Sequence, residues 1–343
     1  MSNSLAVQQP VDWTRPTGDF VASVSWSPDG RFLAAAGSGG PILLLESDSG
    51  TPVVAWPGHQ GGTFCAAFSP AIPRAASVGQ DGQVRFWDPA TPDAQVSVPV
   101  SKSWVEHLLW APDGSALAIA AGREVRILDP DGKVAHTLPP LPSTVSALAW
   151  RVDSRELAAA AYGRIQVWDA HTGAAREPIA WKTSLISLAW SPDQRWMAAG
   201  TQEQSVQIWE LPAKPGEELA MSGYAAKVKN LVWHRGARYL ATDGGNEIMV
   251  WDCGGRGPAG STPRILEGHQ QRVTALAYQR DGHLLASGSE EGRVLLWNAG
   301  KSSTPVRQFQ LPGAISCLEW SRDGQALAIG CRSGEVAAAR ITL

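Results

Sequence analysis

The sequence predicts an all-β protein built from one small unit copied eight times. Three observations carry this. An apolar run ending in an aromatic residue and followed by a tight turn returns at Trp26, Phe68, Trp110, Trp150, Trp190, Trp233, Tyr278 and Trp320. The intervals are 42, 42, 40, 40, 43, 45 and 42 residues, which is the spacing of repeat arrays. Apolar and polar residues then alternate with period two, the mark of a strand with one buried face.

Each copy supplies its elements in the same order. The first strand ends in the aromatic. A turn follows, as in Ser27-Pro28-Asp29-Gly30, Ala111-Pro112-Asp113-Gly114, Ser191-Pro192-Asp193-Gln194 and Ser321-Arg322-Asp323-Gly324. Pro presets φ, Asp bonds back to nearby amides and Gly accepts positive φ, so each favours a reversal for its own reason. The second strand is an apolar stretch such as Phe32-Leu33-Ala34-Ala35 or Leu327-Ala328-Ile329-Gly330. A polar, Gly-containing break leads to the third strand, for example Val84-Arg85-Phe86-Trp87-Asp88 or Ile248-Met249-Val250-Trp251-Asp252. The fourth is shorter and more polar, as in Pro52 to Trp56 or Arg264 to Glu267.

Trp-Asp closes the third strand at residues 87–88, 168–169 and 251–252, degraded forms stand at Leu128-Asp129, Trp209-Glu210 and Trp297-Asn298, and Gly-His pairs occur at 58–59 and 268–269. In spacing, turns and dipeptides the chain resembles WD40 repeats over essentially its whole length. The resemblance implies an eight-bladed β-propeller with four-stranded antiparallel blades around a central channel. The repeats span 20–57, 62–100, 104–141, 144–182, 184–221, 227–267, 272–311 and 314–343, read as a single domain over 1–343. The last copy has only three strands before Ile341-Thr342-Leu343, and Leu5 to Trp13 stands where an outer strand is missing. Residues 1–17 are therefore read as the outer closing strand and its lead-in, closing the ring and removing an open sheet edge. The competing reading is seven blades plus an irregular hairpin, because Leu45-Glu46 and Ala339-Arg340 replace Trp-Asp in copies one and eight.

Composition narrows the function classes. Lys plus Arg number 29 against 32 Asp plus Glu, a net charge of −3, with no basic run, so nucleic acid is not expected as a partner. No apolar stretch reaches the roughly 18 residues of a membrane span, and the first twenty residues lack the basic and apolar segments of a secretion signal. Cys65, Cys253, Cys317 and Cys331 form no Cys-x-x-Cys motif, which suits a reducing cytoplasm. Cys65 and Cys317 share one inner-strand position and read as small buried packers. The preference for Arg over Lys, with abundant Ala, Gly and Pro, suggests a GC-rich bacterial source.

Motifs for chemistry are missing from the sequence. The seven histidines show no short metal-ligand spacing. Gly37-Ser38-Gly39-Gly40 opens no helix and so is no phosphate loop, and there is no Gly-x-Ser-x-Gly elbow. No catalytic residue, metal or cofactor is assigned. The resemblance implies instead a buried hydrogen-bonded set in blade two, His59, Ser77, Asp81 and Trp87, and a second in blade seven, His269, Ser287, Glu291 and Trp297, with Glu291 where Asp belongs. A His-Asp-Ser catalytic triad is the competing reading of the same residues. The other six blades lack that His and are expected to rely on apolar packing and sheet ladders, leaving blades two and seven the stiffest.

Function then falls to the surface. Aligning the copies puts Phe20, Gly62, Trp104, Thr144, Ser184, Lys227, Arg272 and Ala314 just before the inner strands, at the channel mouth. Loops between the middle strands add Gln80, Arg123, Tyr162, Glu203, Asn246, Glu290 and Arg332. Phe20, Trp104, Arg123, Tyr162, Lys227 and Arg272 are the candidate partner-binding residues, since aromatics and Arg dominate interface energetics. The expectation is a non-catalytic scaffold for protein partners, as a monomeric ring or a subunit of a hetero-complex. A hydrolase-like enzyme, or a binder of small ligands or nucleic acid at the channel mouth, is the alternative.

Overall fold

The computed structural model describes residues 7–255, 257–258 and 260–341. Eight antiparallel sheets follow one another around a ring, each contributing four strands, and every inner strand touches the inner strands of both neighbours. The propeller has eight blades. The first runs through Val21–Trp26, Phe32–Gly37, Ile42–Glu46 and Pro52–Trp56, and the pattern repeats to Ile315–Trp320, Ala326–Cys331 and Glu335–Arg340 in the eighth.

The turns form for the reasons their residues suggest. Ser27 Oγ donates to Asp29 Oδ1 at 2.6 Å and accepts the Phe32 amide at 2.9 Å, while Gly30 takes φ 72°. Ser191 with Asp193 and Ser321 with Asp323 repeat the arrangement. Between blades lie apolar layers, such as the Ala34, Ile42, Leu44, Trp56, Phe68 and Trp87 cluster of blades one and two. Trp56 and Trp87 stack there with centroids 5.2 Å apart.

The ring closes at its two ends, through a strand inside the 1–17 segment. The outer strand of blade eight is Trp13–Pro16, antiparallel to Glu335–Arg340 with Trp13 opposite Ala338. The expectation of Leu5 to Trp13 is thus displaced toward the C-terminal side; Leu5 itself, like Thr342 and Leu343, lies outside the described residues. Trp13 fixes the register. Its ring is buried against blades eight and one, and its indole donates to the Ser47 carbonyl at 2.9 Å. Pro10 has no amide to pair, and upstream of it Val7–Gln8 lies parallel on the outer strand of blade seven, opposite Arg307 and Gln308. The N-terminal segment therefore bridges two blades. Asp12 accepts the Arg340 amide at 2.5 Å and its own amide reaches the Ala338 carbonyl at 2.9 Å.

Hydrogen bonds between inner strands hold the blades to one another. Ser23 Oγ donates to the Ala66 carbonyl at 3.0 Å, Ser316 Oγ to Val21 at 2.7 Å and Thr274 Oγ1 to Ile315 at 2.6 Å. Ser146 reaches Leu185 at 2.6 Å, Ser187 reaches Val228 at 3.0 Å, His107 Nε2 reaches Val145 at 3.2 Å and Asn230 reaches Thr274 at 3.3 Å. Together they cross every seam but that of blades two and three. β-Bulges in the inner strands help to aim these groups: Thr274 and Ser316 are themselves the extra residues of their strands. In the other direction, the indoles of Trp26, Trp110, Trp150 and Trp320 donate to Glu319, Ala67, Leu109 and Ala277 carbonyls at 2.9 to 3.0 Å. Trp190, Trp233 and Tyr278 hold the same position in blades five to seven, and their buried polar atoms have no partner.

Two cysteines correct the sequence reading. Cys65 and Cys317 are only partly buried, because their strands line the bore. The protein still surrounds them closely enough that burial pushes their thiols up to about 11 and about 12. Since Trp13 anchors the closing strand, Trp13→Ala is expected to cost about 3 to 5 kcal/mol, read as a lowered urea midpoint; a variant within 0.5 kcal/mol of the parent would show the closing strand to be dispensable.

Candidate functional site

The candidate residues form two sets, a buried polar one within the blades and an exposed aromatic and basic one at the channel mouth. In blade two a directed chain of bonds runs inward from the rim. Trp87 Nε1 donates to Ser77 Oγ at 2.9 Å, Ser77 lies 2.9 Å from His59 Nε2, and His59 Nδ1 lies 2.7 Å from Asp81 Oδ1. A carboxylate only accepts, so Nδ1 carries the proton and Nε2 receives the Ser77 hydroxyl. Every donor and acceptor is satisfied with His59 neutral. Burial holds the His59 imidazole below its ordinary value, against the pull of Asp81. Asp81 is held low despite burial by His59 and by the Gln83 and Gln60 amides, and it also takes Arg85 at 2.8 Å.

Blade seven repeats the chain with a looser carboxylate end. Trp297 reaches Ser287 at 2.8 Å and Ser287 reaches His269 Nε2 at 2.7 Å, but His269 Nδ1 stands 3.4 Å from Glu291 Oε1. Glu291 takes the Gln270 amide at 3.0 Å, as Asp81 takes the Gln60 amide at 3.2 Å. Burial lowers the His269 imidazole to about 4, against Glu291. Ser77 and Ser287 are both 0% exposed. No substrate can reach either hydroxyl, and each already accepts an indole, so the triad reading of these residues fails.

A third chain corrects the expectation that the other blades have apolar packing alone. In blade six Trp251 Nε1 donates to Tyr224 OH at 2.8 Å, and Tyr224 OH lies 2.9 Å from Thr242 Oγ1. Tyr224 precedes Trp233 by the same nine residues that separate His59 from Phe68 and His269 from Tyr278. That offset was the signal in the sequence, and a search for histidine passes over it. Burial pushes the Tyr224 phenol up to about 12.

The mouth residues gather at one end of the ring. Antiparallel pairing places the start of each inner strand beside the end of the second, as Val21 beside Gly37. Backbone bonds then tie the two loop sets together: Ser38 to Phe20, Gln80 to Gly62, Gln202 to Ser184, Glu290 to Arg272 and Arg332 to Ala314, at 2.8 to 3.1 Å. Phe20, Trp104 and Tyr162 are 36%, 53% and 60% exposed. Trp104 leans across the seam onto Phe64 of blade two, centroids 5.8 Å apart, and Phe64 is the bulged residue of its inner strand. Arg123 and Lys227 are exposed, while Arg272 is half-buried and reaches the Lys227 carbonyl at 3.4 Å. Beside them Asp243 is buried and accepts the Lys229 and Asn230 amides at 2.8 Å; burial raises its carboxyl. The end can offer aromatic area and guanidinium or ammonium donors on a backbone that is already hydrogen-bonded. Among the described residues no group of three or more His, Cys, Asp or Glu is placed to hold a metal, and no helix is long and apolar enough to cross a membrane.

A WD40 family model, described as WD domain, G-beta repeat, matches residues 12–40, 50–88, 180–210 and 260–298. The chain is 25% identical over 300 residues to the B-type cell cycle switch protein ccs52B of Medicago truncatula, covering 85% of this chain and 53% of that protein. It is 27% identical over 124 residues to the anaphase-promoting complex subunit cdc20 of Dictyostelium discoideum, covering 35% and 24%. Against the cilia- and flagella-associated protein 44 of Mus musculus it is 39% identical over 75 residues, covering 21% and 4%. The chain thus spans about half or less of the length of these relatives. The crystal structure of the computationally designed Ika8 protein superposes with a TM-score of 0.80 at 18% identity, covering 98% of this chain and 100% of that one; this is a likeness of fold.

The buried chains make a definite expectation. Ser77→Ala leaves the Trp87 indole and the His59 imidazole without partners and costs roughly 2 to 4 kcal/mol. His59 and His269 are neutral when folded, whereas the unfolded chain takes up protons from its ordinary imidazole value downward, so this stability is full above about pH 6.5 and is lost as the pH falls toward 4. Urea unfolding from pH 7 to pH 5 should therefore show a shallower pH slope in a His59→Gln, His269→Gln variant than in the parent; equal slopes would contradict the assignment.

Proposed function

We propose that this chain, a propeller built of WD40 repeats, is a non-catalytic platform that binds one or more protein partners through the loop end around its channel. The observation that carries this is the exposure of Phe20, Trp104 and Tyr162 at one end of the ring. Large aromatics held in water on an ordered backbone lose little further freedom on binding, and they supply most of the energy in measured interfaces. Arg123, Lys227 and Arg272 flank them and supply directional donors. One relative is by its printed name a subunit of a multiprotein complex, which agrees with a role in assembly. With all four cysteines free, a reducing cytoplasm is the setting we assign.

Affinity capture with the full chain, followed by mass spectrometry and a titration of each captured protein, tests the reading. A Trp104→Ala, Arg272→Ala variant should bind its partner at least ten-fold more weakly, and an Arg31→Ala, Arg322→Ala variant at the opposite end should bind as the parent does. Equal binding by the first variant, or loss with the second, would place the interface elsewhere.

A further inference from the structure

At the end opposite the channel mouth, blades six and seven meet through two histidines. His234 follows Trp233 in the turn of blade six, and His283 stands in the turn of blade seven. His234 Nε2 and His283 Nδ1 lie 3.2 Å apart. The rings lie edge to edge and nearly coplanar, with centroids 5.4 Å apart and planes inclined by 12°. The Gly236 amide donates to His234 Nδ1 at 3.1 Å, so this nitrogen carries no proton and Nε2 carries the only one of the neutral ring. The bond across the seam therefore runs from His234 Nε2–H to His283 Nδ1. A proton on His283 Nδ1 costs the bond between the rings, and a proton on His234 Nδ1 costs the bond from the Gly236 amide.

The surroundings give little compensation. Tyr278 and Tyr239 present their rings edge-on to His234 at 5.5 and 6.2 Å. Arg235 crosses the same seam to Asp281 at 2.8 Å, so the near carboxylate is already paired and largely in water. Arg238 lies over the Tyr239 ring and is held by Asp252 at 2.8 Å. Burial, then His283, then Arg235 hold the His234 imidazole below its ordinary value, against a backbone hydrogen bond at Gly282. The seam also lacks the indole bond of other blades, since Tyr278 holds that position with its hydroxyl unpaired. Asn230 to Thr274 at 3.3 Å, Arg272 to Lys227 at 3.4 Å and Asn246 to the His269 carbonyl at 3.4 Å join the blades toward the other end or the bore, and the Arg264 guanidinium donates to the Ala299 carbonyl nearer the rim.

We propose that the His234–His283 pair is a proton-operated latch: neutral, it ties the turn of blade six to that of blade seven, and a proton on His283 Nδ1 sets donor against donor and releases this tie between the turns. The sign is fixed by the bonding. The latched form binds fewer protons than the open one, so acidification favours the open form. The device stands apart from the partner-binding reading, because it involves the other end of the ring and no partner.

Hydrogen exchange on the full chain, corrected for intrinsic rates, tests the latch at pH 7.5 and pH 5.5. Protection over residues 233–239 and 278–285 should fall at least ten-fold on acidification while the matching turn of blade one, 27–32, changes less. His283→Asn keeps an acceptor near the Nδ1 position without the charge, and should hold its protection at pH 5.5. In the unaltered protein, an NMR titration should show the His234 and His283 signals each responding to the other's proton. Two independent single-group titrations, or equal acid loss in parent and variant, would overturn the latch.

Discussion

Closure of the ring is the constraint on which this structure depends. A four-stranded blade has one face to bury on each side and a free inner edge, and neither is satisfied until a neighbour stands beside it. In an open array the end units would remain incomplete. Here the bonds from Ser23, Ser146, Ser187, Thr274 and Ser316 to the next blade's backbone run in one sense around the bore, and the indoles of Trp26, Trp110, Trp150 and Trp320 return in the other. Each bond is worth only about 1 kcal/mol net. Their effect comes from position: they act between sheets, where the apolar layers alone would allow sliding.

The ring is uneven. Blades seven, eight and one are joined by both kinds of bond and by the N-terminal segment, which pairs with blade seven through Val7–Gln8 and with blade eight through Trp13–Pro16. The seams between blades four and five, five and six, and six and seven lack the indole bonds. The buried chains at His59, Tyr224 and His269 lie within single blades and do not bridge seams, so the bonding inside a blade and the bonding at its junctions are separate properties. The mouth loops inherit the first through backbone bonds such as Ser38 to Phe20 and Glu290 to Arg272. An exposed aromatic such as Trp104, supported by Phe64 across a seam, is thus presented from a fixed frame.

Much of this was legible in the sequence, and the limits of legibility are physical. Blade number followed from the aromatic-turn period because a Ser-x-Asp-Gly turn is fixed by residues within five positions of one another, as at Ser27 and Phe32. That residues 1–17 close the ring is legible in the sequence, but the exact strand within them is not, because its register is decided by Trp13 meeting Ser47, a contact between chain segments that no local pattern encodes. Tyr224 was passed over because its place is defined by an offset and by its hydroxyl, which does the work of an imidazole. The inner-strand hydroxyls were visible as polar breaks in apolar runs. Their acceptors lie about forty residues away, so the direction in which they point required the ring. The partial exposure of Cys65 and Cys317 arises in the same way, from a bore that exists only once the blades are assembled.

Native-state hydrogen exchange of the inner-strand amides, followed against low concentrations of denaturant, tests closure most directly. Amides such as Ala66 and Phe68, which are bonded to Ser23 and Ser25 of the preceding blade, should open together with those of every other blade, in one event whose free energy matches global unfolding. Separate openings, with one blade's inner strand exchanging while its neighbours stay protected, would contradict the account.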